Sequence, residues 1–398
     1  MLVSRRKFIK HSLLASSGTL LIPSFLKALE HPATTLAERK VVVIQLSGGN
    51  DGLNTVVPYR NDVYYKSRPG IAVSSAQVLK ASNELGFNPG LTKLNDLYDR
   101  GYLAVLNNVG YPNPDRSHFR SMDIWQSASG SESSLTTGWV GRFLDASCNG
   151  CATHRAIELD DTLSLALKGD SMKGMAMKNP EKLYRSVHDT IFNDVVTQNL
   201  LNDVEGQSLR YLYKTMAETK SSAELIHQHA IARSSQATYP DTEFSKRLKT
   251  IAELIKADLN TRVYYVSLAG FDTHVNQQNQ HQRLLETYAN GVHAFITDLG
   301  SQLMKDVLIL TFSEFGRRVT QNGSGGTDHG TANNVFLFSG SLKQKGFINE
   351  SPDLSSLDEG DLIHRVDFRS VYASILEKWL EVPSQNILKR SFSTLDFI

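Results

Sequence analysis

Three apolar, β-branched runs, each ending on a carboxylate, restrict this chain more than any other feature. Val307-Leu308-Ile309-Leu310-Thr311-Phe312 leads into Ser313-Glu314, and Val41-Val42-Val43-Ile44-Gln45-Leu46 into Ser47-Gly48-Gly49-Asn50-Asp51. Val263-Tyr264-Tyr265-Val266-Ser267-Leu268 leads into Gly270-Phe271-Asp272-Thr273-His274. Such continuous runs read as strands buried on both faces, which is the pattern of a parallel sheet covered by helices. Parallel strands present their C-terminal ends on one edge, where open α/β sheets bind ligands. Asp51, Asp272 and Glu314 gathered there repel one another unless protons or a cation neutralise them. The sequence therefore predicts an α/β fold with a mostly parallel sheet and a metal-dependent site.

Each carboxylate has neighbours that bear on this reading. Glycines on both sides of Asn50-Asp51 permit a sharp turn; a turn residue or helix cap is the plain alternative for Asp51. In an extended segment Asp272 and His274 point the same way, so both can reach one ion. After Glu314 comes the flexible loop Gly323-Ser324-Gly325-Gly326, then Asp328-His329-Gly330 and a further strand over 335–338. His329 is expected to swing onto the same edge as a ligand, with Asp328 orienting its ring. The loop ending at Arg116 precedes a helix that begins near Ser117-His118-Phe119-Arg120. Ser117 reads either as the cap of that helix or as a nucleophile stabilised by the helix dipole and a metal. His118 reads as a ligand, a proton donor or a locally satisfied histidine. Arg116, Arg120 and Arg317 are candidates to hold an anionic group.

The remaining chain sets the context. Ser4-Arg5-Arg6-Lys7-Phe8-Ile9-Lys10 followed by an apolar stretch over 13–26 reads as a twin-arginine export signal, so residues 1–38 are set apart from the fold. The expected location is the periplasm or cell surface, reached through the Tat translocase, with membrane attachment only through an uncleaved signal. At a net charge of +1 nothing suggests a polyanion-binding surface or an acidic tail, so no nucleic-acid partner is expected. Both cysteines lie in Cys148-Asn149-Gly150-Cys151 and read as a local disulfide in an oxidising compartment. Between about 180 and 260 strands give way to apolar residues three and four apart, which indicates a helical insertion within a single domain over 39–398.

Taken together, Arg5-Arg6, Leu46-Ser47-Gly48-Gly49-Asn50-Asp51-Gly52-Leu53-Asn54, Ser117-His118-Phe119, Gly270-Phe271-Asp272-Thr273-His274, Ser313-Glu314-Phe315-Gly316-Arg317, Asp328-His329-Gly330 and Asp367-Phe368-Arg369 resemble the exported family known as domain of unknown function 1501. The resemblance implies a place in the alkaline phosphatase-like and sulfatase-like superfamily: a three-layer α/β/α sandwich with metals at the strand ends. It makes Asp51 similar to the first-strand metal aspartate, Asp272 and His274 to an Asp/His pair on one metal, and His329 to the late histidine completing that site. Two positions depart from the pattern. Phe315 stands where a ligand histidine is expected, and Pro112 where a sulfatase nucleophile would lie.

The leading expectation is an exported metal-dependent hydrolase acting on a phosphate or sulfate ester of a small molecule or glycan. Asp51, Asp272, His274, Glu314 and His329 would bind one or two divalent ions (zinc, manganese, calcium or magnesium), and Ser117, His118, Arg116, Arg120 and Arg317 would carry the chemistry. The alternative is a non-catalytic exported binding or assembly protein that keeps the fold and a structural metal.

Overall fold

The computed structural model describes residues 39–147, 150–200 and 207–398. The export signal expected over 1–38 and Cys148 lie outside the described residues; Cys151 is disulfide-bonded. Among the described residues no helix is long and apolar enough to cross a membrane.

A nine-stranded sheet forms the centre. In chain order its strands are β1 (Lys40–Ser47), β2 (Leu103–Gly110), β3 (Ala156–Glu158), β4 (Met175–Ala176), β5 (Val263–Ala269), β6 (Val307–Phe312), β7 (Asn333–Phe338), β8 (Gly346–Phe347) and β9 (Val366–Asp367). Across the sheet the order is β8-β2-β7-β6-β1-β5-β3-β4, with β9 also pairing with β2. The three diagnostic runs are adjacent and parallel: β1 lies between β5 and β6, with Val43 opposite Tyr265 and Leu310. Only β7 runs against the rest, antiparallel to both β6 and β2.

The continuous apolar runs are explained by burial on both faces. Along β1, Val42, Ile44 and Leu46 enter one core while Val41 and Val43 enter the other. An aliphatic side chain buried this way contributes about 1.5–3 kcal/mol relative to exposure, so neither face of the sheet can be left in water. On the first face pack α1 (Thr92–Asp99) and two long helices described below. On the second pack α2 (His118–Ser127), α3 (Trp139–Ser147) and the C-terminal residues.

Between β4 and β5 the described chain is helical: α4 (Pro180–Val187), α5 (Thr190–Leu200), α6 (Gln207–Ala232) and α7 (Glu243–Lys256). Thr242 caps α7 by accepting from Ser245 N–H, and Phe244, Leu248, Ile251 and Ile255 form its buried stripe. That stripe packs in the core of the first face beside the next helix, α8 (Gln277–Leu303). The last helix of the expected insertion is thus a layer of the sandwich. At the end of the chain Asp367 caps α9 (Phe368–Ser374), accepting from Arg369 N–H.

One buried carboxyl has its pKa set mainly by burial. Glu158, at the end of β3, is 4% exposed and accepts the Ser164 N–H at 2.7 Å. Burial pushes its pKa up to about 7. The folded state therefore holds this proton more tightly than the unfolded chain does. The resulting stability is fully present below the ordinary carboxyl value and is lost as pH rises through about 7. Glu158→Gln keeps an acceptor for Ser164 and removes the charge. It is expected to flatten this fall and to raise stability at pH 8 by roughly 2–3 kcal/mol, read from urea unfolding at pH 5 and pH 8. Equal wild-type and variant profiles would refute this.

Candidate metal site at the strand ends

The sheet edge carries the site, built from loops after β1, β2, β5 and β6 together with the loop before β7. Because β7 is antiparallel, its first residue lies at the edge where the parallel strands end. His329, four residues before β7, reaches that edge for this reason. Gly48 and Gly49 let the loops close on one another. Gly48 has φ +120°, and a Cβ there would sit 2.4 Å from the Asp272 nitrogen. Gly49 has φ +70°, and a Cβ would sit 2.2 Å from the Phe315 ring.

His118, Asp272 and His329 each bring one ligand atom within 4.8 Å of the others. Asp272 Oδ1 is the meeting point, 3.2 Å from His329 Nε2 and 3.5 Å from His118 Nε2. His274 Nε2 stands 2.9 Å from the same oxygen and 2.9 Å from His329 Nε2. The far nitrogens are all held by acceptors. His118 Nδ1 lies 3.0 Å from Glu314 Oε1, and His329 Nδ1 lies 2.8 Å from the Arg116 carbonyl. His274 Nδ1 lies 3.4 Å from Asp328 Oδ1. Carboxyl and carbonyl oxygens oblige each Nδ1 to donate, which leaves the Nε2 lone pairs pointing inward. His118 Nε2 is buried and has no hydrogen-bond partner among the described residues.

An inward-facing set of imidazole lone pairs around one carboxylate oxygen is repulsive without a cation. Donors at about 2.1 Å from a tetrahedral ion would stand about 3.4 Å apart, and the separations of 2.9, 3.2 and 3.5 Å bracket that value. The residues present therefore fit a divalent metal. Charge within the site is balanced unevenly. Burial acts to raise the Asp272 carboxyl, but the hydrogen bond and charge of Arg317, with the imidazoles of His329 and His274 beside it, outweigh it and hold the pKa at about 2. The hydrogen bond to Glu314 lifts His118 above the ordinary histidine value. Burial lowers His329.

The other expected site residues are placed differently. Glu314 is fully buried and accepts from Gly48 N–H at 2.8 Å as well as from His118, so it holds His118 in place from behind. Asp51 lies outside the cluster. Its Oδ1 accepts from Asn54 N–H, capping the turn Gly52–Thr55, and its Oδ2 pairs with Arg68 Nη1 at 2.6 Å and with Gln277 Nε2. Burial tends to raise Asp51, but the charges of Arg68 and His281 and the hydrogen bonds from Arg68 and Gln277 bring it below the ordinary carboxyl value. Asp328 supports His274, where the sequence reading had it orient His329; the Arg116 carbonyl does that instead.

Ser117 is exposed and makes no side-chain cap; Asp115 Oδ1 accepts the Ser117 N–H instead. Arg116 turns its guanidinium to Asp361 and, at 3.7 Å, Glu359. Arg120 Nη2 donates to the carbonyls of Gly130, Ser131 and Ser133. Arg317 is buried and donates to the carbonyls of Gly48, Gly49, Phe271 and Thr327 and to Asp272 Oδ1. It ties the loops together and aims Asp272. Phe315 packs its ring against both imidazoles, with centroids 4.8 Å from His118 and 4.7 Å from His329.

The sequence reading singles out neither Arg68 nor His281. His281 is buried and hydrogen-bonds Asn50 Oδ1 at 2.9 Å. Its phase with Leu285, Tyr288 and Val292 on α8 was the available signal.

No curated protein matches the sequence. Among solved structures, the chain is similar to the C-terminal periplasmic domain of EcEptC from Escherichia coli in complex with Zn. The identity is 11%, with 78% of this chain and 75% of that one covered and a TM-score of 0.36. It is also similar to the PsFucS1 sulfatase from Pseudoalteromonas sp. (9% identity, 94% and 72% covered, TM-score 0.41). A third similarity is to the lipoteichoic acid synthase LtaP from Listeria monocytogenes (7% identity, 78% and 68% covered, TM-score 0.33). The family model described as protein of unknown function (DUF1501) matches residues 101–380, and with that match over most of its length the chain belongs to this family.

Proposed function

We propose that the protein is an exported hydrolase of phosphate or sulfate esters that uses one divalent metal ion. The observation that carries this reading is the convergence of His118 Nε2, His329 Nε2 and Asp272 Oδ1, with each imidazole held from behind by an acceptor. Imidazole-rich donors with one carboxylate suit zinc, manganese or another first-row ion better than calcium or magnesium, which take oxygen ligands. When bound, such an ion polarises an ester oxygen and lowers the pKa of a water molecule.

The chain's own residues then do the rest. Glu314 and the Arg116 carbonyl fix the imidazole tautomers, and Arg317 aims Asp272 and adds positive charge beside the site. Ser117, exposed and next to His118 in the chain, is the candidate hydroxyl nucleophile; a water molecule is the other. Phe315 fills the space beside both imidazoles that a second ligand histidine would occupy, which favours one ion over two. Tat export to the periplasm or cell surface, proposed from Arg5-Arg6, suits a protein that folds around its metal before transport.

A non-catalytic binding role has one observation in its favour. Arg120 and Arg317 direct their donors to main-chain carbonyls, so they form no open clamp for a departing anion.

Elemental analysis of purified protein, followed by assay of the metal-loaded form against phosphate and sulfate esters, separates the readings. One equivalent of a first-row metal with measurable turnover is expected. Metal-free protein that stays metal-free after incubation with zinc and manganese would end the hydrolase reading. Bound metal without turnover would favour the binding role.

A further inference from the structure

We infer that Arg116 and Arg318 form a binding site for a phosphate or sulfate group of the substrate, and that an acidic hairpin of the chain itself holds this site closed. The inference rests on the ester-hydrolase reading for where the oxyanion comes from. The hairpin spans 357–362. Leu357 pairs with Leu362 and Asp358 with Asp361, and the turn residues Glu359 and Gly360 have φ of +49° and +90°. Positive φ at both positions is the geometry of a tight two-residue hairpin turn. The tip it forms, Asp358-Glu359-Gly360-Asp361, is acidic at every position but the glycine.

Both arginines reach this tip. Arg116 Nη2 donates to Asp361 Oδ2 and lies 3.7 Å from Glu359 Oε2. Arg318 Nη2 donates to the Glu359 carbonyl at 3.1 Å, and its Nε lies 3.6 Å from Asp361 Oδ1. Two guanidinium groups thus converge on one carboxylate, the arrangement that also recognises phosphate and sulfate. The site is seen with an anion in it, supplied by the chain.

That anion fits poorly. Among the described residues Nη2 is the hydrogen-bonded nitrogen of each guanidinium, which leaves Nε and Nη1 to an incoming oxygen. The two side chains are 39% and 37% exposed. Arg317 differs: it is buried and commits Nε and both Nη atoms to carbonyls. Asp361 Oδ1 is buried and has no hydrogen-bond partner among the described residues. Burial outweighs the Arg116 and Arg318 charges and leaves the Asp361 carboxyl above its ordinary value. A carboxylate short of donors is a weak occupant, and a tetrahedral oxyanion can take bidentate bonds from both arginines.

The latch lies at the metal site. The Arg116 carbonyl accepts from His329 Nδ1 at 2.8 Å, and the Leu362 carbonyl accepts from Thr331 Oγ1 at 2.6 Å. Asp358 and Leu362 also wall a small cavity bordered by Phe315, which packs on His118 and His329. Arg116 and Arg318 therefore supply the anion clamp that Arg120 and Arg317 do not.

Calorimetric titration of inorganic phosphate and of sulfate into the full-length protein tests this. EDTA treatment and low-salt buffer keep the metal and screening out of the result. Binding of at least one anion is expected, and the tighter of the two names the ester. Arg318→Met should abolish it. Asp361→Asn, which removes the competing charge, should tighten it about tenfold. Circular dichroism shows whether these variants fold. If Asp361→Asn does not, Glu359→Gln, 79% exposed at the tip, decides in its place with a smaller gain. No binding of either anion, binding retained in Arg318→Met, or no gain on removing the acidic charge would each overturn the inference. Anion binding by a protein that, loaded with metal, hydrolyses no ester preserves the clamp and removes the hydrolase. Ester hydrolysis without anion binding at these arginines does the reverse.

Discussion

Asp272→Ala is expected to remove the bound metal and the hydrolytic activity together while leaving the fold in place. Asp272 Oδ1 is the one atom that faces His118, His274 and His329 at once. The side chain is about half exposed, so its loss opens no cavity. Arg317 keeps its carbonyl partners, and its unmatched charge then faces the site and opposes any cation. Metal content should fall below a tenth of an equivalent, with the circular dichroism spectrum unchanged. Glu314→Gln is expected to act more gently. The amide oxygen can still accept from Gly48 and His118, but the loss of charge behind a ligand histidine should weaken metal binding by about 10–100-fold. Competition with a chromogenic chelator measures both. Metal retained at full affinity in Asp272→Ala would show that the ion, if any, sits elsewhere.

Arg68→Met is expected to cost about 3–5 kcal/mol of stability, because it strands a buried carboxylate. Arg68 and Asp51 are both fully buried and pair at 2.6 Å. Arg68 also donates to Asn54 Oδ1 and to the carbonyls of Val319 and Arg318, so it holds the segment that follows Arg317 against the turn Gly52–Thr55. Against a total stability of about 5–15 kcal/mol, the loss is large enough to show as aggregation during expression. Urea unfolding of the soluble fraction gives the magnitude. Arg68→Met combined with Asp51→Asn removes both charges and should recover part of the loss. A single-variant cost below about 1 kcal/mol would mean that the pair contributes almost nothing net, as surface pairs do.

Much of the architecture could be read from local sequence. Runs such as Val41 to Ile44 are apolar at every position, which only a strand covered on both faces requires, and three of them proved to be neighbours. Asp272 and His329 were legible as members of the strand-end cluster because each follows or precedes a strand through a glycine-bearing loop. His118 was ambiguous: a histidine at a helix start is common, and its distinguishing partner, Glu314, is 196 residues away. Asp51 looked like a ligand for the same reasons as Asp272, yet the plain alternative, a helix cap, is what it does. The difference lies in Arg68, whose guanidinium comes from a helix end that no spacing rule connects to Asp51.

The sequence by itself determined the α/β class, the edge on which the site lies and the residue types available there, since periodicity and turn chemistry act over a few residues. Tertiary structure alone decided which of those residues meet. The reversed direction of β7 carries His329 to the parallel strands' C-terminal edge, and the close approach at Gly48 and Gly49 brings Glu314 behind His118. The closed turn beside them locks Asp51 onto Arg68. These are contacts between segments some 17 to 266 residues apart. They depend on how the layers pack, which local chemistry constrains but does not specify.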